Sequence, residues 1–349
     1  NTAPTLFLFE EPGHLRYVAS ATAGMLFPGG ISGFNEKGIS VSLHEMSTHK
    51  YRTLDLNRKA AIAPFLQQRI LREASTLNDA IRLIRNTQHF GGWTFLISDA
   101  KTNEVASVEV SGDRVQVARR RSDQIMGQSN HFLGTQMQDQ YFTYNFNKQL
   151  ESMSRLQVAE SELKKDLGKM NVTWFINHLA GHIDAFEGFR SFGRTATKVY
   201  TLMSTIAIPL KNQFWITSGD RIPASHSPFL GFQIDWNSLS ATPLRQERVQ
   251  LYDQIPDWEL SLEVYGQARL AYERGQEGAS MVLLSKAIAL AEKNGHQEWP
   301  YYYMRARVGL ESGLAVRKAT DDFELLWNHR QELHDYQAAL VGMYSVVAN

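Results

Sequence analysis

Cysteine is absent from all 349 residues. Disulfides, thiolate metal ligands and cysteine catalysis from within residues 1–349 are thereby excluded. No stretch of 18 apolar residues exists either, so no segment reads as a membrane-spanning helix. Charge of one sign is lacking too: 36 basic residues face 36 acidic ones. Nothing in that balance calls for a nucleic acid or an anionic membrane as partner. The one dense basic run, Arg119 to Arg121, reads as the solvated end of a strand. Glycine-rich phosphate cradles and a GxSxG elbow are absent, and no cofactor is expected. The start, NTAPTLFLFEEPG, has neither the basic beginning nor the cleavage-type end of a secretory signal. The compartment stays open between cytoplasm and export after precursor processing.

What is present is an ordinary globular composition, 43% hydrophobic and 21% charged. LFLF at 6–9 and RYVAS at 16–20 read as short strands joined at Glu11-Pro12-Gly13, and GISVSLHEM at 38–46 alternates Ile39, Val41 and Leu43 with polar neighbours. From Leu56 to about Ile84 the spacing becomes helical, through Ile62, Phe65, Leu66, Ile70 and Leu71 and then, after a Ser75-Thr76 cap, Leu77, Ala80, Ile81 and Ile84. Residues 93–120 return to strands as a meander of hairpins, 125–134 read as a short strand entering a loop, and 140–190 read mainly as helix. A hairpin over 197–220 turns between Pro209 and Gln213. Runs of strands alternating with runs of helices point to an α+β protein with helices outside its sheets.

The composition shifts after Pro243, which suggests one domain over 1–243 and a helical extension over 244–349. In the extension, Ala268, Tyr272, Ala279, Leu283 and Ala287 look like a degenerate tetratricopeptide hairpin. That surface is a candidate for homo-oligomerisation. The Tyr301-Tyr302-Tyr303 cluster reads as helix packing.

Candidate chemistry is sparse. His178 and His182 stand four apart on a predicted helix, yet no third ligand is placed by spacing, and no metal site is expected. Ser218-Gly219-Asp220 reads as a turn. Three polar residues at strand borders carry more weight: Asn35 in SGFNEKGIS, Asn130 in GQSNHF and Arg194 in SFGRTAT. An asparagine amide can donate to a developing oxyanion without titrating, and an arginine can hold a carboxylate or carbonyl through paired donors. Turn-forming asparagines and a salt-bridged arginine are the plainer alternative.

The same segments carry a resemblance. SGFNEKGISV, the meander GGWTFLISDAKTNEVASVEVSGDRVQV with its Glu109, QSNHF, RSFGRTATKVYTLMS, and finally the Phe214-Trp215 strand with GDRIPA follow one another as in the penicillin acyltransferase-like branch of the choloylglycine hydrolase superfamily, which are N-terminal-nucleophile hydrolases. The similarity covers about residues 1–235. It implies a four-layer αββα sandwich, to which an all-helical C-terminal extension is added, and an amide hydrolase or acyltransferase acting on a small acylated amine or amide. It further implies that Asn130 donates to the oxyanion, that Asn35 supports it, and that Arg194 sits near the nucleophile, all three converging at one cleft. Relatives use an N-terminal cysteine placed ahead of the region that matches residues 1–20. Asn1 and Thr2 do not replace it, so the nucleophile is expected outside residues 1–349, on an N-terminal fragment of the same precursor, and residues 1–349 alone are expected to be inactive. The competing expectation is a noncatalytic binding or scaffold protein built from a degenerate domain of this kind and a helical interaction module.

Overall fold

The computed structural model describes residues 3–24, 32–48, 60–112, 114–122, 125–142, 146–190, 193–198, 200–221, 223–250, 256–331, 333 and 341–342. Seven strands come first in the chain: β1 (Pro4–Phe9), β2 (Tyr17–Thr22), β3 (Ser32–Asn35), β4 (Ile39–Met46), β5 (Gly92–Asp99), β6 (Glu104–Ser111) and β7 (Arg114–Ser122). They form one sheet in chain order, every neighbour antiparallel. Helices α1 (Ala63–Glu73) and α2 (Leu77–Arg85) interrupt the strands between β4 and β5. The period of two along the strands decides which face meets which neighbour. Tyr17 and Ala19 join Ile39, Val41, Leu43, Phe95, Ile97, Val108 and Val110 in a core shared with Leu66, Ile70, Leu71, Leu77 and Ile84 of the two helices. Val18, between them, faces the other way.

The α2 start is built as its sequence suggests: Thr76 Oγ1 accepts from Asp79 N at 3.1 Å while the Asp79 carboxylate accepts from Thr76 N at 3.1 Å, a reciprocal cap. Ile62 and Phe65, although on the apolar period, point outward. Gly33 is dictated first by the β2 backbone and then by α1, because a Cβ there would stand 2.5 Å from Val18 O and 2.9 Å from the Leu71 side chain.

A second antiparallel sheet follows, again in chain order: β10 (Thr205–Ile208), β11 (Gln213–Thr217), β12 (Phe229–Asp235) and β13 (Ser240–Glu247). Phe214, Ile216 and Ile234 pack on Val18 and Phe34 of the first sheet. The opposite face, with Ile206, Trp215 and Phe229, is covered by Ile176 of α4 (Val172–Leu179). Ahead of α4 runs α3 (Phe146–Lys165), and a small hairpin of β8 (Ile183–Asp184) and β9 (Gly188–Phe189) comes after it. The fold is thus mixed, with antiparallel sheets and helices packed on them.

Helices α5 (Pro256–Glu273), α6 (Glu277–Lys293), α7 (Trp299–Ser312) and α8 (Val316–Asn328) follow. Their core contains Leu262, Ala268, Leu284, Ala287, Tyr301 and Phe323, and it runs on to Ala180 at the end of α4. Tyr301, Tyr302 and Tyr303 are all buried in α7. Between α7 and α8, Arg305 and Asp322 form a buried two-pronged ion pair, 2.8 Å on each arm.

Several sequence expectations shift. Residues 125–134 have no strand, because their backbone groups bond to side chains of the surrounding elements instead of to a ladder. Helix stops at Leu179, before the β8–β9 hairpin. The 243/244 boundary falls inside β13, whose exposed polar residues hide its strand character. On α6 the buried face is Ser280, Leu284, Ala287, Ile288 and Ala291, so Ala279 is exposed, next to the buried position rather than in it. Leu56, where the helical spacing begins, lies outside the described residues.

Candidate functional site

Asn130 sits in the irregular loop between β7 and α3, and three elements hold that loop. Glu109, buried in β6, accepts from Leu133 N at 2.7 Å and from Gly134 N at 3.0 Å. Burial raises its carboxyl above the ordinary range, while the two amides and Arg119 oppose that rise. On the other side Ser152 of α3 accepts from Asn130 N at 2.7 Å, contacts His131 Nδ1 at 2.7 Å and donates to Ser129 Oγ at 3.0 Å. Ser152 with His131 has the look of a nucleophile and its base. Its hydroxyl is committed to three neighbours and only 1% exposed, so it staples the loop. Third, Arg119 binds Glu160 on α3 and the Gly127 carbonyl. This first arginine of the basic run therefore points inward, and only Arg120 and Arg121 are exposed.

The Asn130 side chain is held at both ends. Nδ2 donates to Glu45 O at 2.9 Å, and Oδ1 accepts from Arg155 Nη2 at 2.8 Å. A carbonyl only accepts and a guanidinium only donates, so the amide can lie only one way round. Nδ2 carries two hydrogens. Among the described residues one has a partner, which leaves the second for a ligand. The cation on Oδ1 draws electrons from the amide and strengthens that second donor.

Arg155 begins a charged series. Glu151 lies 4.0 Å from its Nε, Lys198 pairs with Glu151, and Lys198 donates to the Tyr200 hydroxyl at 3.2 Å. Desolvation, then Arg155, lowers Lys198 to about 8 despite Glu151, and lowers His44 on β4 to about 4. His131 is lowered by burial, then by Arg155 and Arg119. Tyr200 is pushed up to about 12, chiefly by burial and then by Glu151.

Arg194 stands in the left-handed region at φ 57°, a conformation that tight local bonding must sustain in a non-glycine residue. Its Nε meets Asp184 Oδ2 at 2.9 Å, a second nitrogen pairs with Glu187, and its carbonyl accepts from Ser154 Oγ at 2.6 Å. Asp184 Oδ1 lies 3.0 Å from the same Ser154 hydroxyl and shares its single hydrogen with the Arg194 carbonyl. The first half of α3 therefore gathers Asn130 and Arg194: residues 151, 152 and 155 serve the first and 154 the second.

Asn35 does not join them. Its Nδ2 donates to Leu71 O at 2.9 Å and Ala74 O at 2.8 Å, and its Oδ1 accepts from Lys37 N and Ile39 N at 3.1 and 3.0 Å. All four bonds close the β3–β4 turn onto the end of α1. Asn35 lies by Ile39 at the start of β4 and Asn130 by Glu45 near its end, about 20 Å apart at the usual rise per strand residue. Asn35 thus stands apart from the other two, while Asn130 and Arg194 each contact α3, the first through Ser152 and Arg155 and the second through Ser154. Sequence reasoning also missed Arg155, Lys198 and Glu109's role as a clamp. Glu151, Ser152 and Arg155 share a helix face at i, i+1 and i+4, but on a surface helix that pattern also describes a solvated stripe.

The two histidines at 178 and 182 part company: His178 contacts Glu162, while His182 turns to His226. Among the described residues no group of three or more His, Cys, Asp or Glu could hold a metal ion. No described helix is long and apolar enough to cross a membrane.

A family model described as acyl-coenzyme A:6-aminopenicillanic acid acyl-transferase matches residues 2–222. No curated protein matches the chain by sequence. Solved structures similar to it include two variants of conjugated bile acid hydrolase from Clostridium perfringens. Each is 11% identical, covering 70% of this chain and 90% of theirs, with TM-scores of 0.41 and 0.42. Penicillin V acylase from Agrobacterium tumefaciens is similar at 11% identity, 69% and 77% coverage, and a TM-score of 0.30.

Proposed function

Because the chain belongs to the acyl-coenzyme A:6-aminopenicillanic acid acyl-transferase family, we propose that it is an amide hydrolase or acyltransferase for small acylated amines, with Asn130 as its oxyanion donor. The observation that carries this reading is the Asn130 amide, fixed between Glu45 O and Arg155 with one N–H to spare. A tetrahedral acyl intermediate concentrates negative charge on one oxygen, and a donor already aimed at that oxygen needs no reorganisation. The attacking group in this reading is an N-terminal cysteine outside residues 1–349. Its α-amino group, with an ordinary pKa near 8, takes the thiol proton and hands it to the departing amine. Arg194, anchored by Asp184 and Glu187, positions the nucleophile or the acyl group.

The packing of α1 and α2, the two sheets and α4 on one another supports the finer reading of a four-layer αββα sandwich, with α5 to α8 as its helical extension. The extension would begin after β13.

Assay is by amine release from acylated amines, using protein expressed with the residues its gene encodes immediately upstream. Asn130→Ala should lower turnover by roughly 100- to 1000-fold, the cost of one lost oxyanion donor. Its melting temperature should stay near that of the parent. Full activity in a folded Asn130→Ala variant would remove the assigned role. An upstream sequence without any nucleophile would turn the assignment toward binding.

A further inference from the structure

Lys198 is enclosed, where lysines ordinarily stand in water. Its side chain is 19% exposed, against 68% for Lys293 and 52% for Lys318. Three cations crowd one carboxylate there. Glu151 pairs with Lys198 and lies 4.0 Å from Arg155 Nε, and Lys148, on the same helix as both, adds its charge to the field at Lys198. The Tyr200 hydroxyl accepts from Nζ at 3.2 Å, and the ring of that tyrosine lies 5.3 Å from it. Glu151 favours the ammonium form, but desolvation first and Arg155 second outweigh it, with Lys148 adding to them. An amine brought to about 8 is about a quarter unprotonated near pH 7.5, against roughly 0.1% for an ordinary lysine.

We propose that Lys198 is a modification site whose ε-amine takes the acyl group of an activated ester. Neither the oxyanion role of Asn130 nor an upstream nucleophile is needed for it. The amine lone pair forms the new C–N bond, the acyl–oxygen bond of the ester breaks with its electrons going to the departing alcohol oxygen, and the surplus proton on nitrogen leaves to solvent. Lysines that are desolvated or set beside another cation are activated as nucleophiles in this way. The product amide carries no charge, so the crowding of three cations is relieved and Glu151 is left to Arg155. The groups facing Lys198 are Glu151, Arg155 and Lys148 from α3 and Tyr200 from its own segment. Tyr200, held at about 12, stays neutral while Lys198 loses its proton.

The test is brief labelling of the folded 349-residue chain with 4-nitrophenyl acetate, followed by peptide mass spectrometry. Near pH 7.5, Lys198 should acquire acetyl at least about tenfold faster than Lys293 or Lys318, despite its lower exposure. Its rate should level off above about pH 9, where an amine titrating near 8 has already lost its proton. Labelling no faster than that of the two exposed lysines overturns the proposal. So does a rate at Lys198 that still climbs about tenfold per pH unit between roughly pH 8.5 and 9.5, the behaviour of an amine titrating near 10.4. Mere accessibility would raise the rate without producing the plateau, so the two readings together separate an activated amine from a reachable one.

Discussion

His182 and His226 bring their Nε2 atoms within 2.9 Å of each other, and the indole of Trp258, on α5, stands edge-on to His182 with ring centres 4.7 Å apart. His182 Nδ1 faces the Arg190 carbonyl at 3.0 Å, which only accepts, so that nitrogen carries the hydrogen. In the neutral pair His226 must then donate to His182. A proton added to His182 would set two N–H groups against each other at the seam between the β8 region and the helical extension. Desolvation, His182 and Arg221 together hold His226 well below its ordinary range.

Acid should therefore loosen the protein. A histidine with a lowered folded-state pKa stabilises above its unfolded value, near 6.5, and that stability is lost as pH falls below it. His44, held to about 4, acts in the same direction over the same window. Denaturant unfolding at several pH values between 7 and 4.5 should show stability falling with acid, less steeply in His226→Gln. A flat profile would reject the account.

Asn35 separates structure from chemistry. Asn35→Ala leaves two carbonyls and two amides of the β3–β4 turn and the α1 end without their partner. Unsatisfied buried groups cost ~1–3 kcal/mol each before relaxation, so the variant should melt well below the parent. Turnover per folded molecule should change less than about twofold, against the 100-fold or greater loss at Asn130. Comparable turnover losses at both positions would contradict the separation between them.

Glu109 should matter for local order. Glu109→Gln replaces one of two acceptor oxygens with an NH2 group that confronts the N–H of Leu133 or Gly134. A loss of about 1–3 kcal/mol is expected, concentrated in residues 128–134. Amide exchange should speed up in that loop and at Asn130 while β5 and β6 stay protected. Uniform protection throughout would show that the carboxylate is dispensable.

The Arg305–Asp322 pair should be costly to break and cheap to replace. Asp322→Leu alone strands a buried guanidinium, an effect of roughly 3–5 kcal/mol, whereas joint replacement of both by apolar residues is often neutral or better. Melting temperatures of Asp322→Leu and of the Arg305→Met, Asp322→Leu double variant decide this. If the double variant melts lower than the single, the pair contributes more than its desolvation costs.

The meander, α1, α2 and the helical tail were legible because each rests on a strong local period: Val41 against Leu43, Phe95 against Ile97, Leu66 against Ile70. β12 and β13 were not, since β13 exposes most of its residues and one face of β12 is filled by Gly231, whose place under the Trp215 ring no propensity reveals. Asn130 and Arg194 stood out through the segments that carry the family resemblance. The pairing of Asn130 with Arg155 did not, because it depends on α3 returning beside a loop 25 residues earlier. Asn35 misled for a physical reason: one residue type serves equally to quiet a turn and to donate to a substrate.

The strict chain order of the strands bears on how the molecule comes to exist. Each strand of the seven-stranded sheet finds its partner in the strand just made, and the second sheet repeats the rule. Contacts so local in sequence lower the entropy lost before pairing is rewarded, which favours rapid folding. A growing chain can therefore complete its first sheet while the second is still being synthesised. The seam at His182, His226 and Trp258 must wait for α5, so the last ordering event brings the helical tail onto a body already assembled.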